Sequence, residues 1–361
     1  MTLPPAPSCG PTWFDDLDTV PPTRPAPHPL QHRTALAAWR HVAAEPVLAQ
    51  RYLHLPHPHS PGDLAVFSLV GASAYWTGWE AQAGVPPVWD RPAAYTPTPF
   101  AGYGAAGLCD PATAAITIRL GLEQAAAWDA PALVLPHLPA HITANAPASD
   151  ADLHVNTAYS AVVHPDGVAG VLAALGNRRT ARGFGRELRR AGETGLHLET
   201  FEGAALTAAR DEFAGLAGQV DERHGTAKFG PDVIRALLRT PGALLLGARH
   251  GDRLVGAFLC FRFGDTLYAS TTGLDYTRLR DLHTYTWLMA ATFDYAARTG
   301  AARIDFGRSN HTVKQRWELD RTELHTLVYL TDPGDARTRA ALARMAQGLH
   351  NPPAATPSSS H

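Results

Sequence analysis

The sequence predicts a mixed α/β protein built as two similar halves, and three observations carry that expectation. At 361 residues and 45% hydrophobic content, the chain exceeds what one core usually serves, so two are expected. A faint internal repeat is the second. Gly107-Leu-Cys-Asp-Pro111 leads into a helical pattern through Trp128 and the apolar run Ala132-Leu-Val-Leu-Pro-His137; Gly273-Leu-Asp-Tyr-Thr277 leads into a helical pattern through Arg298 and the run Ala302-Arg-Ile-Asp-Phe306. Each unit reads as a Gly-Leu turn, a helix of about five turns and a buried strand. The third is hairpin chemistry, at Gly251-Asp-Arg253 and Gly264-Asp265, between apolar segments.

Taken in order, residues 1–32 form a Pro-rich N-terminal segment. Met1 to Gln31 carries prolines throughout and cannot build a helical apolar face, so poor order is expected there, with packing confined to the aromatics between Trp13 and Val20. The first half, 33–160, holds strands at Asp63–Leu69 and Ala74–Glu80 ahead of its helix-strand unit, and the halves join near His154 to Gly167. The second half, 161–349, contains an Arg-rich helix from Asn177 to Gly192. Asp221 to Lys228 is the polar end of a helix leading to another at Pro231. Strands then follow at Ala243–Ala248, Leu254–Phe263 and Thr266–Thr272. The tail, 350–361, includes Asn351-Pro-Pro-Ala-Ala-Thr-Pro-Ser-Ser-Ser-His361 and is expected to be disordered.

Formal charge is −2 with pI near 6.8, so no global field recruits nucleic acid, and any such contact requires a local basic patch. Cys9, Cys109 and Cys260 are odd in number and widely spaced, which fits neither a disulfide framework nor a zinc ribbon; a reducing cytoplasm is expected. No signal peptide and no run of about 18 apolar residues is visible, so no membrane span is expected. His54-Leu-Pro-His-Pro-His59 lacks an acidic partner and reads as a loop, and no metal is expected. Oligomeric state is not legible.

Lysine occurs only at Lys228 and Lys314, and Lys314 lies in the densest polar segment, Asp305-Phe-Gly-Arg-Ser-Asn-His-Thr-Val-Lys-Gln-Arg-Trp317. A strand whose exit carries hydrogen-bonding side chains and an ammonium suits an anionic ligand; a solvated loop is the alternative. Arg178, Arg182, Arg186 and Arg190 stand four apart and form one ridge on a helix, with Arg179 and Arg189 beside it. Like charges at this spacing repel, which a polyanion relieves. Gly183 and Gly185 are expected to interrupt the ridge.

The order of elements resembles the acyltransferase fold of the GNAT superfamily. Ordinary members hold the pyrophosphate of acyl-CoA on an Arg/Gln-x-x-Gly-x-Gly/Ala loop, whereas this chain has Arg278-Leu-Arg-Asp-Leu-His283, without glycine, so CoA use is disfavoured. More specifically, the chain is similar over residues 35 to 330 to the Fem-type branch, tandem-GNAT aminoacyltransferases that use aminoacyl-tRNA. The likeness rests on Asn177 to Gly192, Gly251 to Phe258, Leu267 to Gly273, and Asp305 to Lys314. It implies two tandem GNAT-like halves, a site in the second, and a role for Lys314 in stabilising charge near the transferring ester. It also implies that the loop Tyr95 to Gly104, with Tyr103, helps form the acceptor pocket, a packed Ω-type loop being the alternative. Ala191 to Leu206 offers no coiled-coil heptads, so the long helical arm of some cell-wall members is missing.

An aminoacyl ester is already activated. Amide formation then needs an aligned amine, a proton route and an oxyanion partner, and no Gly-x-Ser-x-Gly elbow or Cys–His signature is present. Lys314, with a solvated head, and Arg316 are the electrostatic candidates. Arg308, Ser309, Asn310 and His311 are candidates to orient substrate. Asp275, Tyr276 and His283 come from the turn that faces the donor channel in this fold, with His283 as a proton relay; Tyr276 and Tyr285 read equally as packing residues. Asp305 reads as a buried anchor for Arg308 or Lys314. The arginine ridge is the expected contact for tRNA. The resulting expectation is a cytoplasmic aminoacyltransferase without a cofactor, using aminoacyl-tRNA as co-substrate and a small-molecule amine as acceptor, in specialised-metabolite biosynthesis. An acyl-CoA N-acyltransferase, a peptidoglycan-precursor enzyme and a non-catalytic binding protein are the alternatives.

Overall fold

A computed structural model describes residues 10–26, 28–57, 60–98, 103, 107–225 and 228–350. His59, residues 99–102 and 104 of the Tyr95 to Gly104 loop, and the terminal stretches 1–9 and 351–361 lie outside the described residues.

In chain order the elements begin with strand β1 (Thr12–Phe14), helix α1 (Arg33–Ala38), strands β2 (Val47–His57) and β3 (Ser60–Val70), helix α2 (Ala74–Ala83), strand β4 (Ala93–Tyr95), helix α3 (Pro111–Ala127), strand β5 (Ala132–Pro139), helix α4 (Ala140–Thr143) and strand β6 (Ala151–Val162). They continue with helices α5 (Gly167–Ala174) and α6 (Arg178–Glu193), strand β7 (Leu196–Phe201), and helices α7 (Gly203–Ala208), α8 (Arg210–His224) and α9 (Pro231–Leu237). Strands β8 (Ala243–His250), β9 (Arg253–Phe263) and β10 (Thr266–Leu274) follow, then helix α10 (Thr284–Thr299), strand β11 (Arg303–Gly307), helix α11 (His311–Arg316), strand β12 (Asp320–Leu330) and helix α12 (Ala336–His350).

The chain divides into two compact units. Of the described residues, 10–40, 44–156 and 323–350 form the first, and 41–43 and 157–322 the second. The division differs from the sequence boundary in two ways. The joint expected near His154 to Gly167 is mostly strand β6, whose residues 151–156 belong to the first unit and 157–162 to the second. Residues 323–350 group with the first unit because β12 pairs antiparallel with β5, from Leu324↔Pro139 to Leu330↔Ala132, and Leu342, Met345 and Leu349 of α12 join its core.

In the first unit the strand order is β1-β2-β3-β4-β5-β12-β6. Strands β4 and β5 and most of β3 are buried on both faces, which explains their continuous apolar runs. Leu133 and Leu135 face the core beneath α3, while Ala132 and Val134 face Trp76, Trp79 and α12. Two expectations are corrected here. Ala74–Glu80, rich in the aromatics favoured in strands, is helix α2: the Ser73 hydroxyl accepts from Trp76 N at 3.1 Å as an N-cap, Trp76 and Trp79 bury a helical i, i+3 face, and Gly84 closes the helix at φ 67°. Residues 10–26 and 28–31 pack onto the unit: Trp13 meets the Phe67 ring at 5.3 Å, Arg24 forms an ion pair with Asp63, and Arg33 donates to the carbonyls of Leu17 and Val20.

In the second unit the order is β6-β11-β10-β9-β8-β7. The two hairpins form as their turn residues dictate. Helix α10 crosses from β10 to the parallel strand β11, as the second repeat predicts, but it starts only at Thr284, after a turn over residues 275–283.

Candidate active site

Strands β10 and β11 pair only from Thr266↔Arg303 to Tyr268↔Asp305; beyond that β10 bulges between Ala269 and Thr271 and runs on to Leu274 beside β9. The backbone of β11 past Asp305 thus lacks its parallel partner, and its carbonyls turn to a side chain. Lys314 Nζ donates to Phe306 O at 2.5 Å and to Gly307 O at 3.2 Å. Lys314 lies on helix α11 and is 2% exposed, so the expected solvated loop lysine is corrected to a buried one. The segment 311–316 is too short to show helical periodicity, and burial of Trp317 against α6 draws it inward. Trp317 stacks on Phe184 at 4.0 Å, and Arg316 lies 4.5 Å over the same Phe184 ring and 3.1 Å from Glu187.

Burial pushes the Lys314 ammonium from its ordinary 10.5 down to about 7; the Asp305 carboxylate opposes this and the Arg308 guanidinium adds to it. An ammonium has three donors, and two go to carbonyls, leaving one N–H for a substrate oxygen. Tyr159 on β6, opposite Gly307 in register and 1% exposed, forms the other wall: Lys314 Nζ lies 5.7 Å from its ring centroid. The Tyr159 hydroxyl is 3.2 Å from His311 Nδ1 and accepts from Gln315 Nε2 at 3.4 Å. Partial burial, and then the Lys314 charge, hold His311 below its ordinary value, so its neutral imidazole is favoured. Burial pushes Tyr285 up to about 12, opposed by a hydrogen bond with the Asn310 side chain.

The structure thus gathers Lys314, His311, Asn310 and Arg316 with Tyr159, Tyr285, Gln315 and Glu187. Ser309 is exposed and Arg308 half-buried at the same turn. Asp305, expected as a buried anchor, is half-buried; it accepts from Gly307 N at 2.6 Å and acts on Lys314 through charge. Asp275 is placed otherwise. It is 1% exposed, and its Oδ1 accepts from Thr277 N at 3.0 Å and Thr277 Oγ1 at 2.5 Å, closing the turn. Its Oδ2 lies 3.1 Å from Arg253 Nη2, an ion pair whose angle falls short of a hydrogen bond. Arg223 covers the Tyr276 ring at 4.7 Å. His283 stands at the start of α10 with φ 51° and makes no side-chain capping bond. Neither Asp275 nor His283 bonds to Lys314. Tyr103 belongs to the first unit, where its carbonyl accepts from Gln31 and its ring meets His28 edge-on at 5.0 Å.

The turn before α10 uses its own amides. Leu282 N donates to Arg278 O, His283 N to Arg280 O and Thr284 N to Leu279 O, at 3.0, 3.3 and 3.3 Å. A Cβ at Gly256 of β9 would sit 2.7 Å from Thr284 Cγ2, so glycine is what lets the helix start press onto the sheet.

Helix α6 is continuous from Arg178 to Glu193, so Gly183 and Gly185 do not break it: Asn177 caps it by accepting from Arg179 N and Thr180 N, and Phe184 and Ala191 anchor it. Arg178, Arg179, Arg182, Arg186, Arg189 and Arg190 are all exposed, within an arc of about 120° opposite the buried face at 3.6 residues per turn. Among the described residues none of the six forms an ion pair. The same residues include no group of His, Cys, Asp or Glu that could hold a metal, and no helix long and apolar enough to cross a membrane.

Residues 176–315, which contain α6, the β10/β11 opening and Lys314, match the family model of the acetyltransferase (GNAT) domain. That stretch, which lies within the second unit, is therefore of the GNAT domain type. Similar solved structures refine the fold. FemX superimposes with a TM-score of 0.56 at 11% identity over 85% of this chain and 93% of that one. The C-terminal domain (DUF2156) of a putative lysylphosphatidylglycerol synthetase from Agrobacterium fabrum gives 0.52 at 12% identity, covering 79% and 84%. L-PGS from Bacillus licheniformis gives 0.52 at 10% identity, covering 86% and 92%. No curated protein matches the chain. In fold the chain is thus similar to FemX and to the lysylphosphatidylglycerol synthetase domain, in line with the Fem-type resemblance of the sequence motifs.

Proposed function

We propose that the protein forms an amide by moving an aminoacyl group from aminoacyl-tRNA to the amine of a small molecule. The observation that carries the choice of donor is the α6 arginine face: six exposed guanidiniums without acidic partners among the described residues suit a phosphate backbone. The inward-turned amides before α10 weigh in the same direction, since a pyrophosphate cradle needs outward N–H groups. At the reacting centre the amine attacks the ester carbonyl and the remaining Lys314 N–H meets the oxyanion; neutral His311, steadied by Tyr159, takes the amine proton and returns it to the ribose oxygen, which leaves as a hydroxyl when the acyl C–O bond breaks. The acceptor is read as small because residues 191–206 form the end of α6, strand β7 and part of α7 rather than a helical arm. A tRNA donor places the reaction in the cytoplasm, and a small amine acceptor fits specialised-metabolite biosynthesis.

The GNAT domain match favours one second reading, acyl-CoA-dependent N-acylation. Mass spectrometry of reactions containing an aminoacylated tRNA pool and candidate amines separates the two. Product that disappears after RNase treatment supports the proposal; RNase-resistant product formed with acyl-CoA overturns it.

A further inference from the structure

A cavity of about 400 Å³ in the second unit plays no part in the chemistry above. Helix α7 contributes Leu206 and Thr207, Arg210 begins α8, and Arg235, Leu238 and Arg239 come from the end of α9 and the turn after it. Three guanidiniums on one cavity are unexpected in a chain of net charge −2. Two are partly satisfied: Arg210 Nε is 2.9 Å from Asp211, and Arg235 Nη2 is 2.5 Å from Asp232. Both pairs are exposed and short in sequence, and pairs of that kind yield readily to a better anion. Arg239 is exposed and forms no ion pair among the described residues. Thr240 lines the same cavity, and its buried hydroxyl has no hydrogen-bond partner among the described residues. Leu206, Leu238 and Ala243 give the cavity an apolar side, and its volume lies within the range of about 300–1,000 Å³ of small-molecule sites.

We propose that this cavity binds a nucleoside phosphate, with Arg235 and Arg239 gripping the phosphate and Leu206, Leu238 and Ala243 covering the base or sugar. Planar guanidinium forks match phosphate oxygens in pairs, which a lysine cluster does not. The group arrives either as a free nucleotide or as the terminal nucleotide of an RNA strand. The site is independent of the α6 face and of Lys314, so it does not rest on the transfer reading.

The test is calorimetric titration of the full chain with adenosine 5′-monophosphate, with inorganic phosphate, and with a short RNA bearing a terminal phosphate. Each is repeated on Arg239→Gln, Arg239→Lys and the Arg182→Ala/Arg186→Ala pair, with melting temperatures measured alongside. Losing one charged contact to phosphate weakens binding on the order of tenfold to a hundredfold. Arg239→Gln should show that loss at an unchanged melting temperature, Arg239→Lys should restore part of it, and the α6 pair should leave mononucleotide binding intact. Saturable, Arg239-dependent binding of the mononucleotide identifies a free-nucleotide site; Arg239-dependent binding of the RNA alone identifies a strand-end site. Binding of phosphate as tight as that of the nucleotide overturns the nucleoside part. If no probe depends on Arg239, the proposal fails.

Discussion

Replacing Lys314 by Met removes its charge while nearly keeping its volume, and the structure sets opposite expectations for rate and stability. The unfolded chain holds the lysine proton up to pH 10.5, the folded chain only up to about 7. Folding therefore releases a proton between these values, so stability rises with pH across that window and is flat below it, with a total amplitude on the order of 4–5 kcal/mol. The Met variant should lose this rise. Near pH 7 it gains from no longer burying an ammonium and loses about 1–3 kcal/mol for each of the Phe306 and Gly307 carbonyls left without a donor, so its melting temperature should move little. Transfer should fall by roughly two to three orders of magnitude, the scale of losing one strong oxyanion donor. Because the ammonium is the active form, the native single-turnover rate should also decline as pH rises through about 7. Quenched-flow transfer and thermal melts from pH 6 to 10 read both quantities. A Met variant with native turnover, or a native rate that climbs through pH 7, refutes the assignment. Lys314→Ala is the poorer probe, since emptying a buried side chain costs about 2–5 kcal/mol, and Lys314→Arg should rescue only in part, overpacking the site by about 1–3 kcal/mol.

Arg182→Ala with Arg186→Ala should weaken tRNA binding and reduce the slope of log K against log salt by roughly 1.4 to 1.8, one counterion per lost phosphate contact; filter binding with an unchanged slope would return α6 to a plain solvated helix. CoA and acetyl-CoA should show no saturable micromolar binding in calorimetry, given the inward amides of Leu282, His283 and Thr284, and such binding would reinstate the CoA reading. Gly183→Ala should stabilise the protein by about 0.5–1 kcal/mol in denaturant melts, because a Cβ there meets nothing within 4 Å in a continuous helix; destabilisation would mean that α6 is not helical through this point.

The second unit was the more legible from sequence. Its hairpins carry Gly-Asp turns, β8 and β9 are largely apolar runs while β10 alternates, and the Arg-rich stretch has helical spacing, so β8, β9, β10, α6 and α10 follow from local rules. Ala74–Glu80 misled because strand preference of aromatics outweighed the single capping serine. Lys314 was found by composition, yet its burial was not, since that depends on two backbone carbonyls exposed where β10 and β11 part. Tyr159 was missed altogether. The only signal was weak alternation of Leu153, Val155, Thr157, Tyr159 and Ala161 in a stretch read as a joint, and its relation to Lys314 comes from the pairing of Tyr159 with Gly307, a long-range register. Asp275 shows the converse: an acidic residue at a suggestive turn is occupied in holding that turn.

The return of residues 323–350 to the first unit sets an order of events during synthesis. Strand β12 lies between β5 and β6, and α12 covers the face formed by Trp76, Trp79 and Val134, so the first cannot take its place until the chain has passed residue 330, nor the second until it nears residue 350. The second unit, apart from residues 41–43, is one uninterrupted stretch from 157 to 322 and emerges from the ribosome whole. At about 5–20 residues per second the apolar strands β2 to β5 wait many seconds for their last partner, while the segment bearing Lys314 can close at once. A nascent chain lengthened by a linker until residue 322 has cleared the exit tunnel should hold a protease-resistant second unit beside an open, chaperone-dependent first one.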